Sequence, residues 1–246
     1  MKAAFGWVGG KSKFAAQIIE RIPPHTLYCE VFAGGLSVLY AKEPSKIEVI
    51  NDLNGELINL HLQIKTRPES LSNYLRSMIV SREIFYAIKK GSYPVSNDIE
   101  RAAAYLYRLT LSYGALGCTF LMPKRKRPKS LWRDFAVCSR RLKGVCIERL
   151  DFGRLLREYD GRESFFYLDP PYYRNEHYYE GGHFNGPDHE RLRDCLAAVS
   201  GRWLLSYNDC AEIREMYKGY RAETIAARYS FGEKRGVHSE LVISNY

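Results

Sequence analysis

The segment SFFYLDPPYYR, residues 164–174, drives an apolar run straight into an aspartate, two prolines and two tyrosines. An ionised carboxylate at the mouth of a buried strand is costly, so Asp169 either caps the next element or takes part in chemistry. Pro-Pro-Tyr is an odd way to begin a helix, which speaks against a cap. Three further acids hold comparable places: Glu30 in LYCEVF (27–32), Asp52 closing IEVIND (47–52) and Asp151 closing VCIERLD (145–151). In open α/β sheets the ligand crevice lies outside the carboxyl ends of the strands, so four acids at four strand ends predict a site without naming its ligand.

A Gly-rich turn entering a helix follows the first strand, EVFAGGLSVLY (30–40), with Asp52 about twenty residues after the acid that opens it. This imitates the dinucleotide fingerprint, where the later acid holds ribose hydroxyls. It is neither GxGxxG nor GxxxxGK[ST], because Leu36 and Ser37 intrude. Tight helix–strand packing would explain the glycines equally well. Glu30 also opposes phosphate by like-charge repulsion, so a cationic or neutral part of a ligand suits it better.

The elements that must position these residues alternate. Besides the strand-like runs already named, WLLSYND (203–209), ETIAARYS (223–230) and ELVISNY (240–246) read as strands, and HERLRDCLAAV (189–199) has helical periodicity. Strands alternating with helices predict an α/β fold, a mostly parallel sheet with helices on both faces. Residues 53–144 break the rhythm, with no convincing core strand. Within them NDIERAAAYLYRLTLS (97–112) reads as a helix, with an Asn97–Glu100 capping box and Ile99, Ala103, Leu106 and Leu109 or Thr110 on one face. The expected organisation is a catalytic unit from 1–60 and 145–246, interrupted by a helical subdomain at 61–144 that carries a basic loop or hairpin.

The 246 residues carry a net charge of +9. Residues 121–149 hold ten lysines and arginines against two acids, a local +8 that accounts for almost all of it. So concentrated a run suits a polyanion, although a solvated face is the alternative. No apolar run approaches the roughly 20 residues that span a bilayer, and MKAAFGWVGGKSK lacks a signal-peptide core, so an intracellular location is expected. Six scattered cysteines without a CxxC pair predict reduced thiols and no metal site.

With YCEVFAGGLS (28–37), VINDLN (49–54), RLDF (149–152) and LDPPYY (168–173) in this order, the sequence resembles the Dam-like (D12 class) DNA adenine-N6 methyltransferases. FGWVGGKSK (5–13) is similar to that family's N-terminal motif. The resemblance covers about residues 5–60 and 145–246. It implies a Rossmann-like methyltransferase fold, S-adenosylmethionine as methyl donor, double-stranded DNA as partner and a cytoplasmic, nucleoid-associated monomer or weak dimer.

By the same resemblance, Trp7 and Lys11 would contact the cofactor or the target base. Glu30, Phe32 and Gly34 would frame the methionine end, Asp52 would take the ribose hydroxyls, and Asp151 with Phe152 would hold the cofactor's adenine. Asp169, Pro170, Pro171 and Tyr172 would form the catalytic corner, two acceptors on the N6 hydrogens with a ring to stack on the base. Lys124, Arg125, Lys126, Arg127 and Arg133 would meet DNA, and the specificity hairpin would lie near 112–132. Val31 stands where the family usually has Pro, and Leu36 where Gly is common.

Each residue also has a structural reading: core for Trp7, a solvated lysine at position 11, N-caps for Glu30, Asp52 and Asp151. The stretch 174–190 reads as a lid, with His183 and Phe184 near the base, or as a plain loop. Three functions of different class stay open on the residues themselves. They are DNA adenine methylation, methylation of another amine (cytosine N4, RNA adenine or a protein amide), and DNA binding by a non-catalytic relic.

Overall fold

The computed structural model describes residues 1–121, 130–176, 184–228 and 237–246. In chain order the elements are α1 (Ala15–Ile19), β1 (Leu27–Glu30), α2 (Ser37–Ala41), β2 (Ile47–Asn51), α3 (Gly55–Thr66), α4 (Pro68–Ser77) and α5 (Arg82–Lys89). Then come α6 (Asp98–Thr110), α7 (Ala136–Leu142), β3 (Val145–Glu148), α8 (Phe152–Tyr159), β4 (Ser164–Leu168) and α9 (Gly186–Ala197). The chain closes with β5 (Arg202–Tyr207), α10 (Ala211–Met216), β6 (Arg221–Arg228) and β7 (Val237–Ser244).

All seven strands join one sheet in the order β3-β2-β1-β4-β5-β7-β6. The first five are mutually parallel, and β7 runs antiparallel between β5 and β6. β4 is buried at every position, as its unbroken SFFYL predicts for a strand covered on both faces. The two-residue side-chain period splits the sheet cleanly. Tyr28, Phe165, Tyr167, Leu204 and Val242 pack with α1, α2, α3 and α6, whereas Cys29, Phe166, Leu168, Trp203 and Leu205 pack with α8, α9 and α10.

Among the described residues, 53–144 contain helices, a short 3₁₀ turn and one isolated antiparallel bridge, Ser112 to Phe120, that closes the base of the loop ahead of the basic run. α3 runs unbroken across residue 60, so the boundary expected at 60/61 falls inside a helix. Leu57, Leu60 and Ile64 of α3 join Ala102, Ala103 and Leu106 of α6 in the core under the sheet. A separate small core of Phe85, Tyr107, Leu111, Phe120 and Leu131 lies farther out. Asn97 caps α6 through Ile99 and Glu100 N–H. Glu100 closes on the N–H of Ser96 rather than on Asn97's own, so the capping box is displaced by one residue.

The insertion is tied to the sheet by buried ions. Glu48 of β2 accepts from Lys42 at 2.7 Å and from Arg141 of α7 at 2.8 Å, and Arg141 also donates to the Leu39 carbonyl. Lys42 Nζ in turn lies 4.2 Å from the centre of the Tyr28 ring. All six cysteines are free thiols.

Candidate active site

Strand order reverses between β1 and β4, since β2 and β3 extend one way and β5 the other. Crevices open at such switch points. A cleft lies there, lined among others by Glu30, Asp52, Asp169 and the glycines of the β1–α2 turn.

The turn is shaped by close approach. Gly34 has φ +47°, and a Cβ there would lie 2.8 Å from Trp7 Nε1, so the indole occupies the space a side chain would need. Leu36 is also left-handed, at φ 56°, and buried. For a residue other than glycine that conformation costs roughly 1–2 kcal/mol, offset here by burial of the side chain. It sits at the position where the resemblance would place Gly, so the backbone keeps the glycine conformation without the glycine. The other departure is conservative: Val31 N–H donates to the Tyr167 carbonyl at 3.0 Å, a sheet bond proline could not make.

Asp52 follows β2 and fastens the turn. Its carboxylate accepts from Gly34 N–H at 3.3 Å and from Asn54 N–H at 3.0 Å. The N-cap of α3 is Asn54, whose Nδ2 also donates to the hydroxyl of Tyr105 in the cleft wall. His61, fully buried, meets the Gly34 carbonyl through Nε2 at 2.9 Å. Burial pulls the imidazole down to about 4, against that bond, so at neutral pH it is an uncharged donor holding the turn. Sequence reasoning missed His61; a histidine one helical turn after Leu57 on an apolar face reads as ordinary core.

Glu30 is 2 % exposed and faces the cleft. Its Oε1 accepts from the Tyr28 hydroxyl at 2.8 Å and from Leu39 N–H at 2.6 Å. Burial pushes its carboxyl up to about 8, although both donors and Lys42 pull the other way. A partly protonated acid at neutral pH is poised to ionise when a cation arrives.

The far wall is aromatic. Phe32, Phe152 and Phe184 form a closed triangle with centroid separations of 5.9, 5.7 and 5.8 Å, and all three line the cleft. Phe184 is thus a buried wall residue; His183, its expected companion in a lid, lies outside the described residues. Asp151 stands apart from its expected role. It caps α8 through Gly153 N–H, and both of its oxygens accept from Arg191 at 2.9 and 2.8 Å. Arg191 hydrogen bonding, against burial, holds its carboxyl below the usual range. The carboxylate is committed to structure, while Phe152 and Leu150 beside it reach the cleft.

At the corner, Asp169 meets Lys11 Nζ at 2.6 and 2.7 Å through its two oxygens. Lys11 is 3 % exposed, so the solvated reading of it fails, and Gly9 carbonyl takes another of its protons at 2.8 Å. Burial raises the Asp169 carboxyl, with Lys11 opposing. Pro170 is buried, Pro171 lines the cleft, and the Tyr172 ring lies 4.8 Å below the Lys11 ammonium and 6.1 Å from the Tyr207 ring. Behind the corner, buried His189 bridges the Tyr207 hydroxyl at 2.6 Å and Glu176 at 2.7 Å. Since an ionised Glu176 can only accept, Nε2 is the donor in that bond.

Of the expected DNA contacts, Lys124, Arg125, Lys126 and Arg127 lie outside the described residues. Arg133 is described and points inward, donating to the Ala4 carbonyl at 2.9 Å and to Thr110 Oγ1 at 3.1 Å. Burial lowers its pKa. With those donors engaged, Arg133 clamps the insertion to the N-terminal segment rather than reaching for a phosphate.

A seven-stranded, mostly parallel sheet with an antiparallel β7 between β5 and β6, and a cleft at its switch point, is the class I methyltransferase fold. Residues 7–231 match the D12 class N6 adenine-specific DNA methyltransferases, and the chain belongs to that family. It is 29% identical to the type II methyltransferase M1.LlaDCHI of Lactococcus lactis subsp. cremoris, over 98% of this chain and 94% of that protein. The type II methyltransferase M.MjaIII of Methanocaldococcus jannaschii is 27% identical over 100% of this chain and 99% of its own length. The DNA adenine methylase of Escherichia coli is 22% identical over 98% and 92%.

Proposed function

We infer that the protein is a site-specific DNA methyltransferase that moves a methyl group from S-adenosylmethionine to the N6 amine of an adenine turned out of double-stranded DNA. The observation that carries this reading is the convergence of Glu30, Asp52, Asp169 and an aromatic wall on one switch-point cleft in a chain of this family. The residues fit the donor. Glu30 suits a cationic group, Asp52 at the end of β2 suits ribose hydroxyls, and Phe32, Phe152 and Phe184 suit a flat heterocycle. S-adenosylmethionine supplies an electrophilic methyl whose carbon–sulfur bond breaks with its electrons left on sulfur.

The protein's part is to make adenine N6 a nucleophile. Its lone pair is delocalised into the ring until its hydrogens are held out of plane. The Asp169 carboxylate and the Pro170 carbonyl are two acceptors for those hydrogens, and Pro171 stiffens the bend that carries them. Positioning of this kind is worth up to roughly 7–11 kcal/mol in well-oriented reactions. The methylated nitrogen then releases one proton, for which the Asp169 carboxylate is the basic acceptor at the corner. Turning the base out costs a few kcal/mol, of which stacking on Tyr172 returns about 1–3 kcal/mol and phosphate contacts from the basic run the remainder.

The small outer core around Phe85 supports a recognition subdomain within the insertion, with the basic run following in sequence the loop closed by Ser112 and Phe120. Among the described residues no helix is long and apolar enough to cross a membrane. A cytoplasmic, DNA-associated place in the cell follows from the proposed substrate. Mass spectrometry of nucleosides from DNA of an expressing host is the test. N6-methyladenine is expected; N4-methylcytosine, or no modified base, overturns the reading.

A further inference from the structure

Glu240 ends RYSFGEKRGVHSE (228–240), a stretch that resembles a family segment near the end of the sheet but is assigned no role by the sequence, and it reaches the catalytic corner from β7. Lys11 Nζ, in contact with both Asp169 oxygens, is only 3.8 Å from Glu240 Oε1. Glu240 is 13% exposed, and the Tyr172 side chain hydrogen-bonds to its carboxylate. One enclosed ammonium therefore faces two carboxylates and rests on the one the reaction needs.

That resting place is wrong for methyl transfer. A carboxylate engaged at both oxygens by an ammonium is a weakened acceptor for the N6 hydrogens. As N6 forms its new bond it becomes positive, and a lysine ammonium beside it opposes that charge. The flexible lysine stem needs only a short swing to change partners. We propose that Glu240 is a positioning residue of the methyl transfer, acting through Lys11: it takes the ammonium from Asp169 when adenine arrives, leaving Asp169 free for the N6 hydrogens. The two carboxylates then serve two cations, Lys11 on Glu240 and the developing N6 charge on Asp169. The proposal rests on the reading of Asp169 as the N6 acceptor.

Among the described residues, the groups facing Glu240 are Lys11 from the N-terminal segment, Asp169 and Tyr172 from the corner, and Tyr167 from β4. Burial pushes the Glu240 carboxyl up to about 7, with Asp169 adding to the rise and Lys11 and Tyr172 opposing it. Only the ionised form can receive the ammonium, so the transfer rate should fall as pH drops through about 7.

The experiment is single-turnover transfer of labelled methyl to genomic DNA from a host without adenine methylation, measured against pH for the wild type, Glu240→Gln and Glu240→Asp. Glu240→Gln is expected to slow transfer by on the order of 10-fold at neutral pH. Its acid limb should move to lower pH, while cofactor and DNA affinities stay near wild type. Glu240→Asp should recover part of the rate and keep an acid limb. If wild type methylates adenine and Glu240→Gln keeps both its rate and its acid limb, the proposal is overturned and the reading of Asp169 stands. Loss of rate in step with cofactor affinity overturns it equally, as does a Glu240→Asp limb unchanged in a background where Glu240→Gln fails to fold but Lys11→Met transfers at the wild-type rate. A wild type that makes no N6-methyladenine removes the function and this proposal together.

Discussion

Glu30 and Glu48 sit on adjacent strands, with Tyr28 opposite Glu48 and Glu30 opposite Ile50 in the register. Both are buried. Burial acts to raise both carboxyls. At Glu48, hydrogen bonds from Arg141 and Lys42 outweigh it and the group titrates below its usual range, whereas Glu30 is left raised at about 8. The first end of the sheet meets its one carboxylate with two cations, Lys42 and Arg141. The carboxyl end sets three acids, Glu30, Asp169 and Glu240, against the one ammonium of Lys11, and burial raises all three carboxyls. Stored imbalance of that kind marks where a cation or a proton is to be received.

Substitutions can break this contrast, and the largest effect falls on the balanced side. Glu48→Ala strands Lys42 and Arg141 as buried cations and is expected to cost about 3–5 kcal/mol, read as a lower melting temperature or denaturant midpoint. A wild-type midpoint would show that the three-ion cluster is not holding α7 to the sheet. Asp169→Ala should act on chemistry instead, lowering methyl transfer by on the order of 10²-fold or more with DNA binding preserved. Labelled transfer at near wild-type rate would remove Asp169 from the mechanism.

Glu30→Gln sharpens the same contrast through pH. Because the folded carboxyl is raised, the native state holds a proton that the unfolded chain releases between 4.5 and about 8, so this group's stability contribution is lost as pH rises through that window. Glu30→Gln should flatten that part of the decline in melting temperature. Cofactor binding has the opposite sign. A cationic ligand favours ionised Glu30, so affinity should strengthen as pH rises toward about 8 with a proton released, and Glu30→Gln should lose roughly tenfold in affinity together with that slope. Calorimetry in buffers of different ionisation enthalpy measures both.

The smallest effect tests the contrast among cations. Neutralising Lys124, Arg125, Lys126 and Arg127 should weaken DNA binding and reduce its log–log salt slope by about 0.9 for each phosphate that no longer meets a cation. Arg133→Met should leave the slope unchanged and lower stability by about 1–3 kcal/mol, because its donors are bonded inside the protein. A slope change for Arg133→Met would mean that the clamp opens on DNA.

The strands were legible because their apolar runs are short, β-rich and bounded by acids and turn residues; all seven expected runs lie on observed strands. The cleft was legible for a related reason, since an acid after an apolar run has no place in a core. What the sequence could not convey was how each charge is matched. Asp151 and Asp169 look alike in one dimension, each an acid closing a strand. Arg191 from α9 satisfies the first, while Lys11 leaves the second in a shared pairing with Glu240. Glu240 was hidden because a lone acid at the start of ELVISNY reads as a solvent-facing position, and only the neighbours of β7 turn it into a site residue. The cut at residue 60 missed for another reason: the periodicity of α3 continues through it, and composition alone does not show where a helix crosses between layers.

The placement of β7 inside the sheet bears on synthesis at the ribosome. Until residues 237–244 emerge, β5 has an open edge and β6 has no neighbour to pair with. A nascent chain halted before that point would carry Lys11 and Asp169 without their third member, and two sticky borders in place of a closed sheet. Such a polypeptide should be prone to chaperone capture and proteolysis, so that DNA-modifying capacity arises only once translation has passed β7.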